Sequence, residues 1–282
     1  MKTKLLKFIA ISAAALTLSA HATEVVFNVP SQAGRITHEF EQVISPVLIK
    51  EGIKVNTELT GNCAKGYQQF GETTKPTVML MYNGYIATEE CPLNVTKDTL
   101  VSTVLSGVIA VCAKPGFENP IDAIRQQKSV TIGLGGADYP IPVVKNLNAN
   151  FKQVVYSSSG DMVRGFAAGD TDFIMTNMLR AGRLMDAGKA NCVATTSTEV
   201  IRGVEPGNKV FLDWKYNSSM TQIFAIVGRN LSEQDMKNVR AAVGKAVASP
   251  EWQAIATKGG YSTDASIPAE VVVETSKVWA LR

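Results

Sequence analysis

Residues 151–176 read FKQVVYSSSGDMVRGFAAGDTDFIMT, and this stretch decides the fold. Val154 to Tyr156 is a short β-branched and aromatic run, which marks a strand. Ser157-Ser158-Ser159-Gly160 follows as a turn of small residues. A helical stretch runs from Asp161 to Ala168, and Asp172 to Thr176 is again a strand. A strand, a tight loop, a helix and a second strand form the unit from which parallel α/β sheets are built.

Working outward, the same alternation covers most of the chain. Upstream, Val130 to Leu134 is a strand that runs into Gly135-Gly136. Ser106 to Ala113 and Thr77 to Met81 are buried-type strands. Ile53 to Leu59 is another. Ile36, Phe40, Val43, Ile44, Val47 and Leu48 recur at spacings of three and four, which predicts one helical face. Pro46 falls inside that pattern and is expected to kink or shorten the helix. Val25 to Val29 is a strand, and Pro30 to Gly34 the loop after it. Downstream, Cys192 to Thr195 precedes a long irregular segment, and Gln222 to Val227 is a last strong strand. A helix from Ser232 to Ala248 starts on a capping serine with Glu233 and Asp235 in its first turn. A second spans Pro268 to Leu281, with Val271, Val272, Thr275, Val278 and Trp279 predicted to face inward.

The first 22 residues carry Lys2, Lys4 and Lys7, an apolar run from Leu5 to Leu18, and Ala20-His21-Ala22. That pattern predicts a secretory signal peptide cleaved before Thr23, its apolar run being shorter than the roughly 20 residues a spanning helix needs. Its removal takes three of the 28 basic residues and no acid, leaving 25 against 25 acidic residues and a net charge near zero. No basic cluster remains to engage nucleic acid or a membrane surface. Removing 22 of 282 residues leaves 260, about twice an ordinary single-core domain, so two lobes are expected. Cys63, Cys91, Cys112 and Cys192 all lie in the mature region, where export favours disulfides over free thiols. Their spacing lacks the close pair of a structural zinc site, and His38 is the only mature imidazole, so neither a metal nor a cofactor is expected.

The informative constellation is a repeated strand, small-residue loop and helix start. It occurs at Pro30 to Arg35, at Gly133 to Asp138 and at Ser157 to Asp161. Tyr82-Asn83-Gly84 is a helix-poor fourth case. Small residues let backbone N–H groups approach a ligand, and a helix start favours an anion. In open α/β sheets such loops gather beyond the carboxyl ends of the strands, where ligands bind. Any one such loop is ordinary turn chemistry; the recurrence points to an anion site. The candidate ligand residues are Ser31, Gln32, Gly34, Arg35, Tyr82, Asn83, Gly135, Gly136, Asp138, Ser157, Ser158, Ser159 and Gly160. Arg35 is placed to make a bidentate contact with a carboxylate. Asp138 and Asp161 would repel an anion, so they are read as helix caps or as acceptors from a ligand amine or hydroxyl. A catalytic reading would have to pair His38 with Cys63 or a loop serine. Gly133-Leu134-Gly135-Gly136 lacks the spacing of a dinucleotide fingerprint. Trp214 and Tyr216 are either a ligand wall or packing beneath a loop.

Several strings share their order with a known family. Val155-Tyr156 with its serine turn precedes Gly169-Asp170-Thr171-Asp172-Phe173-Ile174-Met175. Then come Ala187-Gly188-Lys189-Ala190-Asn191-Cys192-Val193-Ala194-Thr195-Thr196-Ser197, Ala248-Ser249-Pro250-Glu251-Trp252, Gly259-Gly260-Tyr261 and the Trp279 helix. In this order the chain resembles the substrate-binding proteins of tripartite tricarboxylate transporters, the Bug family of periplasmic receptors. The likeness covers nearly all of the mature chain and is strongest in its second half.

The resemblance implies a two-lobed, type II Venus flytrap fold with no enzymatic activity. It implies a monomer that holds a small carboxylate by the loops at Pro30 to Arg35 and Ser157 to Gly160 and delivers it from the periplasm to membrane transporter subunits. Gln32 and Arg35 depart from the family's Pro-Gly-Gly loop by adding side chains where the family relies on backbone. The lobes are expected at residues 23–110 plus 225–282 and at 111–224. In such a receptor the strand carrying Cys112 lies beside that carrying Cys192, so Cys112–Cys192 is one expected pair. Cys63–Cys91, in loops flanking the Thr77 to Met81 strand, is the other. A ligand-presenting sensor or scavenger, and an exported enzyme on the same frame, are the alternative readings.

Overall fold

The computed structural model describes residues 23–31, 33, 36–86, 93, 95–135, 141–157, 159–214, 221–259, 261–263 and 265–280. The chain begins with β1 (Glu24–Val29), α1 (Ile36–Lys50), β2 (Lys54–Leu59), α2 (Cys63–Glu72), β3 (Thr77–Tyr82), α3 (Asn83–Ile86) and β4 (Leu100–Gly107). It continues with β5 (Ile109–Ala113), α4 (Pro120–Arg125), β6 (Val130–Gly135), α5 (Ile141–Leu147), β7 (Phe151–Tyr156), α6 (Ser159–Ala168), β8 (Phe173–Asn177), α7 (Met178–Asp186) and β9 (Asn191–Thr195). It closes with α8 (Gly207–Val210), β10 (Gln222–Arg229), α9 (Glu233–Val247), α10 (Pro250–Gly259) and α11 (Ala269–Ala280).

Two five-stranded sheets result, ordered β2-β1-β3-β10-β4 and β7-β6-β8-β5-β9. β1 pairs in parallel with β2 and β3, while β10 runs antiparallel between β3 and β4. The second sheet repeats the plan, with β6 parallel to β7 and β8, and β5 antiparallel between β8 and β9. Each sheet is covered on both faces, which is why its central strands are apolar throughout rather than alternating. On one face of the first sheet Phe40, Ile44 and Leu48 of α1 and Trp252 of α10 pack against Phe27, Leu80 and Phe224. Phe40 meets Phe224 and Trp252 edge-on at 5.0 and 5.2 Å, a favoured ring geometry. The Trp252 indole N–H donates to the Val104 carbonyl at 3.0 Å, so its burial leaves no polar group unpaired. On the other face Met79, Met81 and Ile223 meet Phe70 of α2 and Val272 of α11.

The structure departs from the sequence-based expectations in five places. α1 runs unbroken through Pro46 to Lys50: Pro46 and Gln42, whose carbonyl loses its partner, both lie on the exposed side, so the missing bond costs less than in a core. Cys63 opens helix α2 rather than sitting in a loop, its start capped by Asn62, whose Oδ1 accepts from the Lys65 N–H at 2.9 Å. The apolar run Ser106 to Ala113 is two strands in different sheets, divided at Val108. α10 is an additional helix with Pro250 at its first position, where a missing N–H is harmless. On α11, Ala269, Val272 and Ser276 are the buried positions while Val271 is 44% exposed, so the inner face is rotated from that expected; the side chains of Val278 and Trp279 lie outside the described residues.

Ile109 and Ala110 pair in the second sheet and Gln222 to Phe224 in the first. The sheet changes therefore fall at Val108 and between Thr195 and Gln222, a few residues from the expected boundaries at 110 and 225. Cys112 and Cys192 are direct cross-strand partners and form a disulfide, Cα to Cα 3.8 Å. Cys63 is also disulfide-bonded; Cys91, its expected partner, lies outside the described residues.

Candidate functional site

Strand direction places the site. In the first sheet β1, β2, β3 and β4 all end at one edge, at Val29, Leu59, Tyr82 and Gly107, and β10 begins there at Gln222. In the second, β6, β7, β8 and β9 end together at Gly135, Tyr156, Asn177 and Thr195, and β5 begins beside them at Ile109. Val108 alone separates Gly107 from Ile109, so the chain passes from one carboxyl edge straight to the other. The return from Thr195 to Gln222 also runs edge to edge. The two carboxyl edges therefore face each other, which is where ligands bind in sheets of this class. The crossing is firmly held: the Met178 N–H donates to Val108 O at 3.0 Å, and Thr196 N–H to Ile109 O at 2.9 Å. The Ile109 N–H in turn donates to the Thr196 hydroxyl at 2.9 Å.

On the first sheet's edge, Ser31 is buried, with its N–H turned onto Val29 O at 2.7 Å and its carbonyl accepting from Gly61 N–H at 3.2 Å. These bonds fold the loop on itself. α2 presses against it so closely that a Cβ on Gly66 would stand 2.6 Å from Pro30 Cβ and from Thr60 Oγ1. Gln32, Gly34 and Arg35 lie outside the described residues. Tyr82 is buried and its ring is tilted on Phe224 at 6.0 Å, so it belongs to the core beneath the edge. Asn83 is fully buried and its side chain is committed to the fold. Its amide donates to Thr221 O at 2.8 Å and Thr275 Oγ1 at 3.1 Å, and its oxygen accepts from Ile223 N–H at 3.0 Å.

On the second edge, α6 starts directly over the end of β6. A Cβ on Gly135 would meet Ser159 Cα at 2.7 Å and Ser159 Oγ at 2.8 Å, so this approach requires glycine. Ser157 Oγ donates to Asp161 Oδ2 at 2.5 Å, and the Arg164 guanidinium pairs with the other carboxylate oxygen. Asp161 is thus held by Ser157 and Arg164, and the guanidinium balances its charge, which offsets the repulsion expected of it. Gly160 lies in the first turn of α6. Gly136, Asp138 and Ser158 lie outside the described residues. Burial first, and the Asp170 charge second, push the Tyr156 phenol above its ordinary range, so it is a neutral hydrogen-bonding group at physiological pH.

Two residues at the facing edges escaped the sequence reading. Thr176 is fully buried one position before the end of β8, in register with Ala110 of β5, and its hydroxyl has no hydrogen-bond partner. Gln222 is buried at the start of β10, and its Oε1 also has none. Thr176 follows the apolar run Phe173 to Met175 and Gln222 precedes the run Ile223 to Val227, and that contrast is the signal that could have found them. Trp214 is buried against Phe211, at 6.1 Å, and covers Gly207, so it packs beneath the long loop rather than walling a ligand; Tyr216 lies outside the described residues. The disulfide at Cys63 withdraws that thiol as a partner for His38.

No family model and no curated protein matches the chain. Solved structures do. MatC from Rhodopseudomonas palustris with bound malate is 16% identical, with a TM-score of 0.73 over 92% of this chain and 97% of the other. The periplasmic binding protein BugD is 12% identical, with a TM-score of 0.71 over 92% and 93%. A further R. palustris protein, with adipate, is 15% identical, with a TM-score of 0.70 over 91% and 96%. At these identities the likeness establishes a shared fold, that of two-lobed periplasmic binding proteins, over nearly the whole of each chain.

Proposed function

We propose that this protein is an exported solute-binding protein that captures a small carboxylate between two lobes and hands it to a membrane transporter. One observation carries the reading: the carboxyl edges of two similarly built sheets face each other across crossings at residue 108 and between residues 195 and 222. Small-residue loops and helix starts stand at both edges. The lobes would be residues 23–108 with 222–282, and 109 to about 214.

A hinge at Val108 lets the edges approach over a ligand, and the ligand stabilises the closed form only by its extra affinity for it. Ser31 and the start of α1 would serve the first lobe, and Ser159, Gly160 and the Thr176 hydroxyl the second. Arg35 would supply the charge-assisted contact, while Asn83 would act by fixing the edge rather than by touching the ligand. Similarity in fold to proteins solved with malate and adipate supports a carboxylate as the ligand class. No helix among the described residues is long and apolar enough to cross a membrane; the proposal places the protein in the periplasm as a monomer.

The test is a thermal-shift screen of the mature protein against mono-, di- and tricarboxylates and amino acids. A bound ligand raises the melting temperature by mass action. Replacing Arg35 by Ala should then weaken the best ligand by about 1.5 to 3 kcal/mol. A screen in which no carboxylate shifts the melt, while some other ligand class does, would reject the reading.

A further inference from the structure

We infer that Gln222 selects for a hydroxyl on the ligand, so that the preferred solute is a hydroxy-substituted carboxylic acid rather than the bare acid. The inference rests on the carboxylate reading above. Gln222 opens β10 at the carboxyl edge, in register with Gly107, the last residue before the Val108 crossing. Its backbone is pinned on both sides, because the Asn83 amide binds Thr221 O and Ile223 N–H. Along β10 side chains alternate: Ile223, Ala225 and Val227 face the α2 and α11 layer, whereas Phe224 and Ile226 face α1. Gln222 shares the face of Phe224. It therefore stands at the cleft end of the aromatic cluster of Phe40, Phe224 and Tyr261, on the side of the sheet that α1 covers.

Gln222 is 7% exposed and its Oε1 has no hydrogen-bond partner. Burying an amide oxygen without a partner costs free energy that a ligand donor at the cleft would recover. An amide offers a donor and an acceptor side by side, and turning it over exchanges them. The unpaired atom is the amide oxygen, which needs a donor, and a carboxylate has none to offer while a hydroxyl has one. A hydroxyl both donates and accepts and satisfies whichever edge it meets. An ammonium would ask for a carboxylate nearby, yet the described acids on the cleft side of α1 and at the start of α6 are engaged. Glu39 in the first turn of α1 pairs with Arg183 of α7 at 3.9 Å, Glu41 accepts from Ser45 and Thr57, and Asp161 from Ser157 and Arg164.

The experiment compares affinities by calorimetry for pairs of acids that differ by one hydroxyl: succinate with malate, glutarate with 2-hydroxyglutarate, adipate with 2-hydroxyadipate. The wild-type protein is expected to favour the hydroxy acid of the best pair by at least about tenfold, since a site built to bond a hydroxyl discriminates against its absence. Gln222→Met keeps the shape without the amide. It should bring the preference below about threefold by costing the hydroxy acid more affinity than the bare acid. Gln222→Asn, which withdraws the amide by one methylene, should also lower the preference and serves if the Met variant fails to fold. Equal binding of both acids by the wild type, or an undiminished preference in a folded Gln222→Met or Gln222→Asn protein, overturns the inference alone. Failure of every carboxylate to bind overturns the carboxylate reading, and this inference with it.

Discussion

Removing the Cys112–Cys192 bridge should destabilise one lobe and leave ligand binding intact. The two cysteines are 80 residues apart in sequence, and everything between them, from β5 to β9, pairs within the second sheet. In the chain-entropy treatment a loop of this length loses about 15 cal/mol/K of closure entropy, which is about 4.5 kcal/mol at 25 °C. Cys112 is fully buried beside Ile174 and Phe166, so Cys112→Ala/Cys192→Ala also loses some packing, which alanine largely spares. The expected net loss is about 3 to 5 kcal/mol. The bridge sits three residues along β5 from Ile109, about 10 Å from the cleft edge at strand rise, so affinity in the folded variant should stay within about twofold. Urea unfolding read by the fluorescence of single-tryptophan variants separates the lobes, because Trp252 lies in the first core and Trp214 in the second. The Trp214 transition should move to lower urea and steepen, since the uncrosslinked unfolded chain exposes more surface. A loss under about 1 kcal/mol with an unchanged slope would refute the entropic reasoning, and an equal shift of both transitions would refute its confinement to one lobe.

Three further outcomes follow from named contacts. Gly135→Ala places a methyl where Ser159 Cα stands at 2.7 Å; displacing the start of α6 should cost about 1 to 3 kcal/mol in thermal stability and weaken ligand at least about tenfold by calorimetry, whereas wild-type affinity would remove the α6 start from the site. Asp172 is partly buried, and although burial opposes its charge, Lys114 and both the N–H and hydroxyl of Thr131 hold its carboxyl below the ordinary value of 3.8; Asp172→Asn should lose about 1 to 2 kcal/mol at pH 7, with the gap to wild type constant above pH 3.8 and closing as pH falls through the lowered value, so a gap that widens in acid denies the assignment. Leu179 of α7 is buried in the first lobe's core cluster although its helix belongs to the second sheet's layer; Leu179→Ala should cost about 2 kcal/mol, at the low end for a core leucine, and move the Trp252 transition as well as the Trp214 transition to lower urea, and a shift of the Trp214 transition alone would show that the side chain does not support the first core.

The strand and loop grammar of this chain was legible because it is local. β1, β3, β6, β8 and β10 are apolar runs bounded by small or polar residues, and the glycine and serine loops sit at their ends as read. What escaped is what local pattern does not carry. α2 was missed because, among its ten residues CAKGYQQFGE, only Tyr67 and Phe70 form its apolar stripe; too few periodic positions remain to distinguish a helix from a loop. α10 was missed because Ser249-Pro250 resembles a break, although proline at a helix's first position is a start signal. Ser106 to Ala113 stayed apolar straight through the crossing, since both sheets need buried strands there. The change of sheet at Val108 is a property of pairing partners.

The candidate site divides in the same way. Ser157, Ser159 and Gly135 stand together at the carboxyl edge of the second sheet, a placement the sequence signals through its turn chemistry. Asn83 was assigned to the ligand because a polar residue after a strand looks available, yet its three bonds join residues 83, 221, 223 and 275, a convergence no short window reveals. Thr176 and Gln222 reverse that case, being polar residues that the fold buries and leaves unpaired. A lone threonine or glutamine adjoining an apolar run is unremarkable by composition. It gains meaning only when antiparallel β10 and β5 carry their first residues to the same edges at which the parallel strands end. On the proposed function the ligand would supply the partner that the Thr176 hydroxyl and the Gln222 Oε1 lack in the protein.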